Sequence, residues 1–121
     1  MSVSGSCHCG AVTLEVPEAP EWVASCNCSL CRRLGSLVAY YPPETLRIEG
    51  ETAQYVWGDR MIAIHHCPTC GCFTHWSSLG EDYGRQGINA RLLDGFDAGR
   101  EPGRCRVAGR EVEIRFVNNA D

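Results

Sequence analysis

The chain has 121 residues and 13.3 kDa, with 13 Gly, 6 Pro and 9 Cys, a length that suits one domain spanning residues 1–121. Its 11 basic residues are all arginine against 15 acidic ones, which excludes a lysine Schiff base and a phosphate-loop lysine. The net charge of -4 lacks the basic balance of most duplex nucleic-acid binders, so no nucleic-acid partner is expected; only Arg32-Arg33 and the run from Arg100 to Arg115 can form local basic patches. The N-terminus has neither a basic start nor an apolar export stretch, and no apolar run is long enough to span a membrane. A soluble protein of the reducing cytoplasm is expected, where clustered thiols serve as metal ligands more often than as disulfides.

In chain order, residues 11–16 place Val12, Leu14 and Val16 on one face at period two, the pattern of a half-buried strand. Short segments rich in branched or aromatic residues follow at 22–25, 36–41, 46–49, 54–57, 61–66, 72–76 and 111–117. Turn signals separate them: Pro17 and Pro20, Pro42-Pro43, Gly50, Gly58-Asp59, Gly80, Gly84, and Gly99 through Gly103. Helical candidates are confined to a turn after Cys28 through Arg33 and to residues 90–94. The prediction is an all-β chain of many short strands, with Trp22, Trp57, Trp76, Tyr40 and Tyr41 assigned mainly to the core.

The cysteines fall into groups: Cys7 and Cys9; Cys26, Cys28 and Cys31; Cys67, Cys70 and Cys72; and Cys105 alone. Cys67-Pro-Thr-Cys70-Gly71 is a knuckle, in which two thiolates converge and the glycine lets the backbone fold under an ion. A knuckle supplies half a tetrahedron, and Cys7 with Cys9 is the cleanest second half, giving a closed structural zinc site. Cys26, Cys28 and Cys31 then remain as three ligands, the number kept by a catalytic zinc with one position open. Were Cys72 to join the triplet, that second site would be closed too. A disulfide framework, an iron–sulfur cluster, and a single structural zinc beside a redox-sensing triplet are the competing readings. Cys105 reads as an unligated loop residue, His8 as exposed, and His65, His66 and His75 as structural residues in strands, any one of which can supply a fourth ligand or carry a proton.

Three blocks, Gly5-Ser6-Cys7-His8-Cys9-Gly10-Ala11-Val12, Cys26-Asn27-Cys28-Ser29-Leu30-Cys31-Arg32 and Cys67-Pro68-Thr69-Cys70-Gly71, resemble the signature of the glutathione-dependent formaldehyde-activating enzyme family, which includes the centromere protein V domain. Residues 87–94 are similar to a fourth, less specific block. The resemblance implies an Mss4-like fold of packed antiparallel sheets with zinc-binding knuckles. It implies a structural zinc on Cys7, Cys9, Cys67 and Cys70 and a catalytic zinc on Cys26, Cys28 and Cys31. It also implies a carbon–sulfur lyase that makes S-hydroxymethylglutathione from glutathione and formaldehyde. In two respects the chain departs from the family: Ile64-His65-His66 precede the knuckle where an aromatic residue is common, and the chain is shorter than the enzyme that gave the family its name. Arg32 and Arg33 after the triplet, and Asn89 and Arg91 in the fourth block, are candidates to hold a carboxylate-bearing thiol, or else solvated or turn-stabilising residues. The alternative function is a zinc-stapled scaffold whose triplet is closed by a histidine or by Cys72.

Overall fold

Alternating apolar residues in the first forty positions set the pattern that the rest of the chain completes. In the computed structural model, which describes residues 1–58, 60–80 and 84–119, β1 (Val3–Ser6) and β2 (Thr13–Val16) form an antiparallel hairpin extended by β5 (Arg47–Glu49). Val12, Leu14 and Val16 are buried on one face, as their spacing predicts. Each such side chain withdrawn from water contributes roughly 1.5–3 kcal/mol.

The second sheet is built from β3 (Trp22–Cys26), β4 (Val38–Tyr41), β6 (Ala53–Tyr55), β7 (Ile62–His66), β8 (Phe73–Ser78), β9 (Gln86–Asn89), β10 (Asp97–Glu101), β11 (Arg104–Val107) and β12 (Arg110–Val117). Among the described residues its order is β10-β11-β12-β3-β4-β9-β8-β7-β6. The all-β expectation holds, with one refinement. The β12–β3 pairing is parallel, in register from Glu113 opposite Trp22 to Val117 opposite Cys26, so the sheet is mixed rather than purely antiparallel.

Val23, Ala39, Ile88, Val107 and Val112 meet Val3, Leu14, Val16 and Leu93 to form the main core. Tyr41 is buried there, but Trp22, Tyr40 and Trp76, which composition assigns to the core, form a half-buried row on the other face of the large sheet. Their rings lie 5.8 Å (Trp22–Tyr40) and 6.1 Å (Tyr40–Trp76) apart. The residue opposite both Tyr40 and Trp76 is Gly87, where a Cβ would overlap the Trp76 indole. That need explains a glycine inside a strand and hides β9 from a propensity-based reading.

Cys105 is a correction: it lies on β11 and is buried in the core, not in a loop. Of the turn expected from Gly99 to Gly103, residues 102–103 form the turn of a β10–β11 hairpin while residues 99–101 lie in β10. The turn expected at Gly58-Asp59 closes with Arg60 N donating to Trp57 O at 3.1 Å, although Asp59 itself lies outside the described residues. Among the described residues no helix is long and apolar enough to cross a membrane.

The small sheet is tied to the segment after β9 where Gly5 on β1 bridges Leu93. A Cβ on Gly5 would overlap the Leu92 carbonyl and sit 2.9 Å from Leu93 Cα, both backbone atoms that have little room to retreat. Gly5→Ala is therefore expected to cost about 1–3 kcal/mol. An unchanged urea midpoint for this variant would contradict so close an approach.

Candidate metal centres

Two tight loops meet at the end of the sheets. In the first, Cys7 N donates to Val12 O (3.0 Å) and Gly10 N to Cys7 O (3.1 Å); in the second, Cys67 N donates to Cys72 O and Gly71 N to Cys67 O, both at 2.9 Å. Gly10 and Gly71 have φ of 83° and 82°, the left-handed conformation that lets each loop turn back under its cysteines. The sulfurs of Cys7, Cys9, Cys67 and Cys70 consequently converge within 4.8 Å of one another. Cys9 Sγ lies 3.7 Å from Cys7 Sγ and 3.6 Å from Cys67 Sγ. A tetrahedral zinc with bonds of about 2.3 Å needs sulfurs about 3.8 Å apart, whereas a disulfide needs about 2 Å. The geometry suits an ion, and all nine cysteines are free thiols.

Backbone N–H groups are aimed at these sulfurs, from Val12 to Cys7 (3.3 Å) and from Thr69 and Cys70 to Cys67 (3.4 and 3.5 Å). The N–H groups of Cys72 and Cys9 hold the Cys70 thiol down to about 5. Cys9 receives the Ala11 N–H, yet burial and its three sulfur neighbours push it up to about 11. Four sulfurs this close favour negative charge without being able to hold four of them, a conflict that a bound cation removes.

The second cluster sits where β3 ends. Cys26 is its last residue, Cys28 caps α1 (Ser29–Leu34), and Cys31 lies one turn into that helix. The cap is formed by the sulfur itself, which accepts from Cys31 N at 3.2 Å, while Gly35 with φ 67° closes the other end. This short helix is the one expected after Cys28, and it draws the three sulfurs within 4.8 Å of one another. Burial raises the Cys28 thiol, but the Cys31 N–H and the neighbouring sulfurs outweigh it and leave a net fall. Cys31 is pushed up, by burial first and then by Cys28 and Cys26.

Among the described residues, no fourth Cys, His, Asp or Glu joins the triplet. Cys72 packs at the first cluster, against Cys7 and Cys67. The His65 ring is spent on Thr52 (2.9 Å) and Ser77 (2.8 Å), and it stacks on His75 at 4.1 Å. Burial and the adjacent His65 push His75 down to about 4, so it is neutral in the neutral pH range. His8 is exposed, as expected.

A cavity of about 470 Å³ opens beside Cys26 and Cys31, walled by Arg32, Arg91, Leu37 and Phe116. Arg91 Nε donates to Gly35 O at 2.8 Å, which holds its guanidinium along that wall. Arg33 and Asn89 are placed elsewhere. Arg33 donates back to Ser29 O at 2.7 Å within its own helix. The buried Asn89 donates to Phe73 O at 2.9 Å and accepts from Arg91 N at 3.2 Å, shaping the turn at Ala90–Leu92 that carries Arg91.

Tyr40 is a neighbour that residue patterning assigned to the core. Arg85 lies over its ring at 4.1 Å. Burial raises its hydroxyl pKa, and although Arg85 opposes that rise, the nearby Cys31 and Cys26 add to it. The Tyr40 phenol therefore keeps its proton. Its strand position follows from alternation, but only the pairing of β4 with β9 reveals which face it occupies.

The profile of the family described as glutathione-dependent formaldehyde-activating enzyme matches residues 2–102. A Rhodobacter sphaeroides protein, whose crystal structure was solved as a structural-genomics target, is similar at 32% identity and a TM-score of 0.67. The likeness covers 76% of this chain and 88% of that one. No curated protein matches.

Proposed function

The chain belongs to the glutathione-dependent formaldehyde-activating enzyme family, and from that premise we propose that it forms or cleaves the carbon–sulfur bond between a small thiol such as glutathione and a small aldehyde. In this reading Cys7, Cys9, Cys67 and Cys70 hold a structural zinc, and Cys26, Cys28 and Cys31 hold a catalytic one. The observation that carries it is the three-sulfur cluster at the edge of an arginine-walled cavity, with no fourth protein ligand among the described residues.

A zinc on Cys26, Cys28 and Cys31 would supply Lewis acidity at an open position, lowering the pKa of an incoming thiol toward neutral. The chain's own residues do the remainder. Arg32 and Arg91 offer forked donors to carboxylates of the thiol substrate, and so fix where its sulfur lies. Leu37 and Phe116 give the cavity an apolar side for the carbon of a small aldehyde.

In the forward direction, the substrate sulfur bonds to the aldehyde carbon as the carbonyl π pair moves to oxygen. The proton lost by the thiol is balanced by the proton gained at that oxygen, giving the hydroxymethyl thioether. No protein nucleophile is needed, which agrees with three cysteines held as a cluster rather than one paired with a base.

The adduct also forms spontaneously, so the test is a rate. Zinc-loaded protein mixed with glutathione and carbon-13 formaldehyde should accelerate adduct exchange, followed by NMR, in proportion to protein concentration. Exchange no faster than the protein-free background at full zinc occupancy would rule out this activity.

A further inference from the structure

The C-terminal tail reaches the triplet, although it lies beyond the residues 2–102 that match the family. Because β12 runs parallel to β3 with Val117 opposite Cys26, the chain leaving β12 arrives beside the first cysteine of the cluster. Asn27, between Cys26 and Cys28, receives it. The Asn27 backbone N donates to Val117 O at 3.2 Å. Its side-chain Nδ2 donates to Asn118 Oδ1 at 2.9 Å, and its Oδ1 accepts from Asn119 N at 2.7 Å. The Asn119 side chain then turns toward the metal cluster, and Nδ2 donates to Cys26 Sγ at 3.5 Å.

Ending a parallel strand requires none of the three side-chain contacts. Together they specify the path of Asn118 and Asn119 past the cluster and which way the Asn119 amide points. Cys26 Sγ also accepts from Cys28 N at 3.5 Å, so two donors on different segments bracket one sulfur. Donors to a ligand atom fix its orientation and draw charge from it, and their loss commonly weakens metal binding by about 10–100-fold.

We infer that Asn27 and Asn119 form a clasp through which the C-terminal tail aims Cys26 and donates to its sulfur, making both positioning residues of the triplet centre. This rests on the triplet being a metal site.

Two substitutions that add the same charge at neighbouring positions separate the clasp from a general electrostatic effect. Asn118→Asp keeps the acceptor that Asn27 uses, whereas Asn119→Asp removes the donor to sulfur. Both are read by chelator competition on the full zinc-loaded chain, with Cys28→Ser identifying which zinc belongs to the triplet. The cobalt–thiolate charge-transfer band of the cobalt-substituted proteins gives a second readout. Asn119→Asp should weaken the triplet's zinc by about 10–100-fold and move the band, while Asn118→Asp stays within about twofold of the parent. The four-cysteine zinc and the thermal midpoint should not change in either variant. Parent-like affinity and spectrum in Asn119→Asp, or an equal loss in Asn118→Asp, overturns the clasp and leaves the proposed activity standing. A parent protein that takes zinc on the four-cysteine cluster alone overturns the metal reading of the triplet, and the clasp with it.

Discussion

Cys67→Ser is expected to abolish the folded state under conditions where the parent is stable. Cys67 is fully buried, its sulfur accepts two backbone N–H groups, and it lies 3.6 Å from Cys9 Sγ across a sequence separation of 58 residues. The proposed zinc would thus tie the β1–β2 loop to the β7–β8 loop, joining the small sheet to the large one. Zinc bound to small domains contributes apparent free energies of about 10–16 kcal/mol, as large as the whole net stability of about 5–15 kcal/mol of a typical domain. A hydroxyl is a poor replacement for the thiolate, and the core here is thin. Val, Leu, Ile and Phe number 9, 8, 5 and 3, which is 25 of 121 residues.

Circular dichroism, thermal melting and metal analysis check this outcome. Chelation of the parent should have the same effect as the substitution. Cys105→Ala is the control, since Cys105 is equally buried but lies in the hydrophobic core away from both clusters; it should lose only about 1–2 kcal/mol and no zinc. A Cys67→Ser protein that melts with the parent and keeps its zinc would show that the four sulfurs do not hold a structural ion.

Cys28→Ser should produce the opposite pattern, a folded protein without the proposed activity. Cys28 is half-buried at the cap of a six-residue helix, where its side chain accepts from Cys31 N. Serine is among the preferred residues at a helix N-terminus and can accept the same bond, so α1 should survive with little loss. What serine does not replace is the thiolate. The triplet's zinc should be lost while the four-cysteine zinc stays, and thiol–aldehyde exchange should fall to the background rate. Several kcal/mol of charge stabilisation corresponds to a drop of about 10³-fold. Metal content and exchange rate measured on one preparation give the answer. Unchanged zinc content contradicts the ligand assignment, and an unchanged rate with the zinc gone contradicts the catalytic role.

Much of this could be read from residue order. The alternation of Val12, Leu14 and Val16 identifies β2 and its buried face, because side chains two apart in a strand share a side whatever surrounds them. The short helix after Cys28 follows from a capping side chain and from Gly35 about two turns later. Other strands gave no such signal. In β1, Val3 is the one large apolar residue, and the strand exists because β2 supplies its hydrogen-bond partners. β10 and β11 flank Gly103 and carry Gly99 with several arginines, a composition that reads as turn or loop, yet they pair with each other and β11 with β12. Propensity is weak where a neighbouring strand decides the outcome.

Donor type, the shape of each cysteine loop and the grouping within Cys7/Cys9, Cys67/Cys70 and Cys26/Cys28/Cys31 were determined by the sequence itself, since sulfurs two or three residues apart converge through local backbone geometry; that the first two pairs meet, across 58 residues, was decided by the tertiary fold. The tertiary structure decided which side chains surround them: Arg91 rather than Asn89 on the cavity wall, Cys72 at the four-cysteine cluster instead of the triplet, and Asn119 on Cys26. These neighbours come from segments as much as 93 residues apart. Their meeting depends on sheet order and the parallel β12–β3 register, which arise from packing of the whole chain and leave no periodic trace in any one stretch of it.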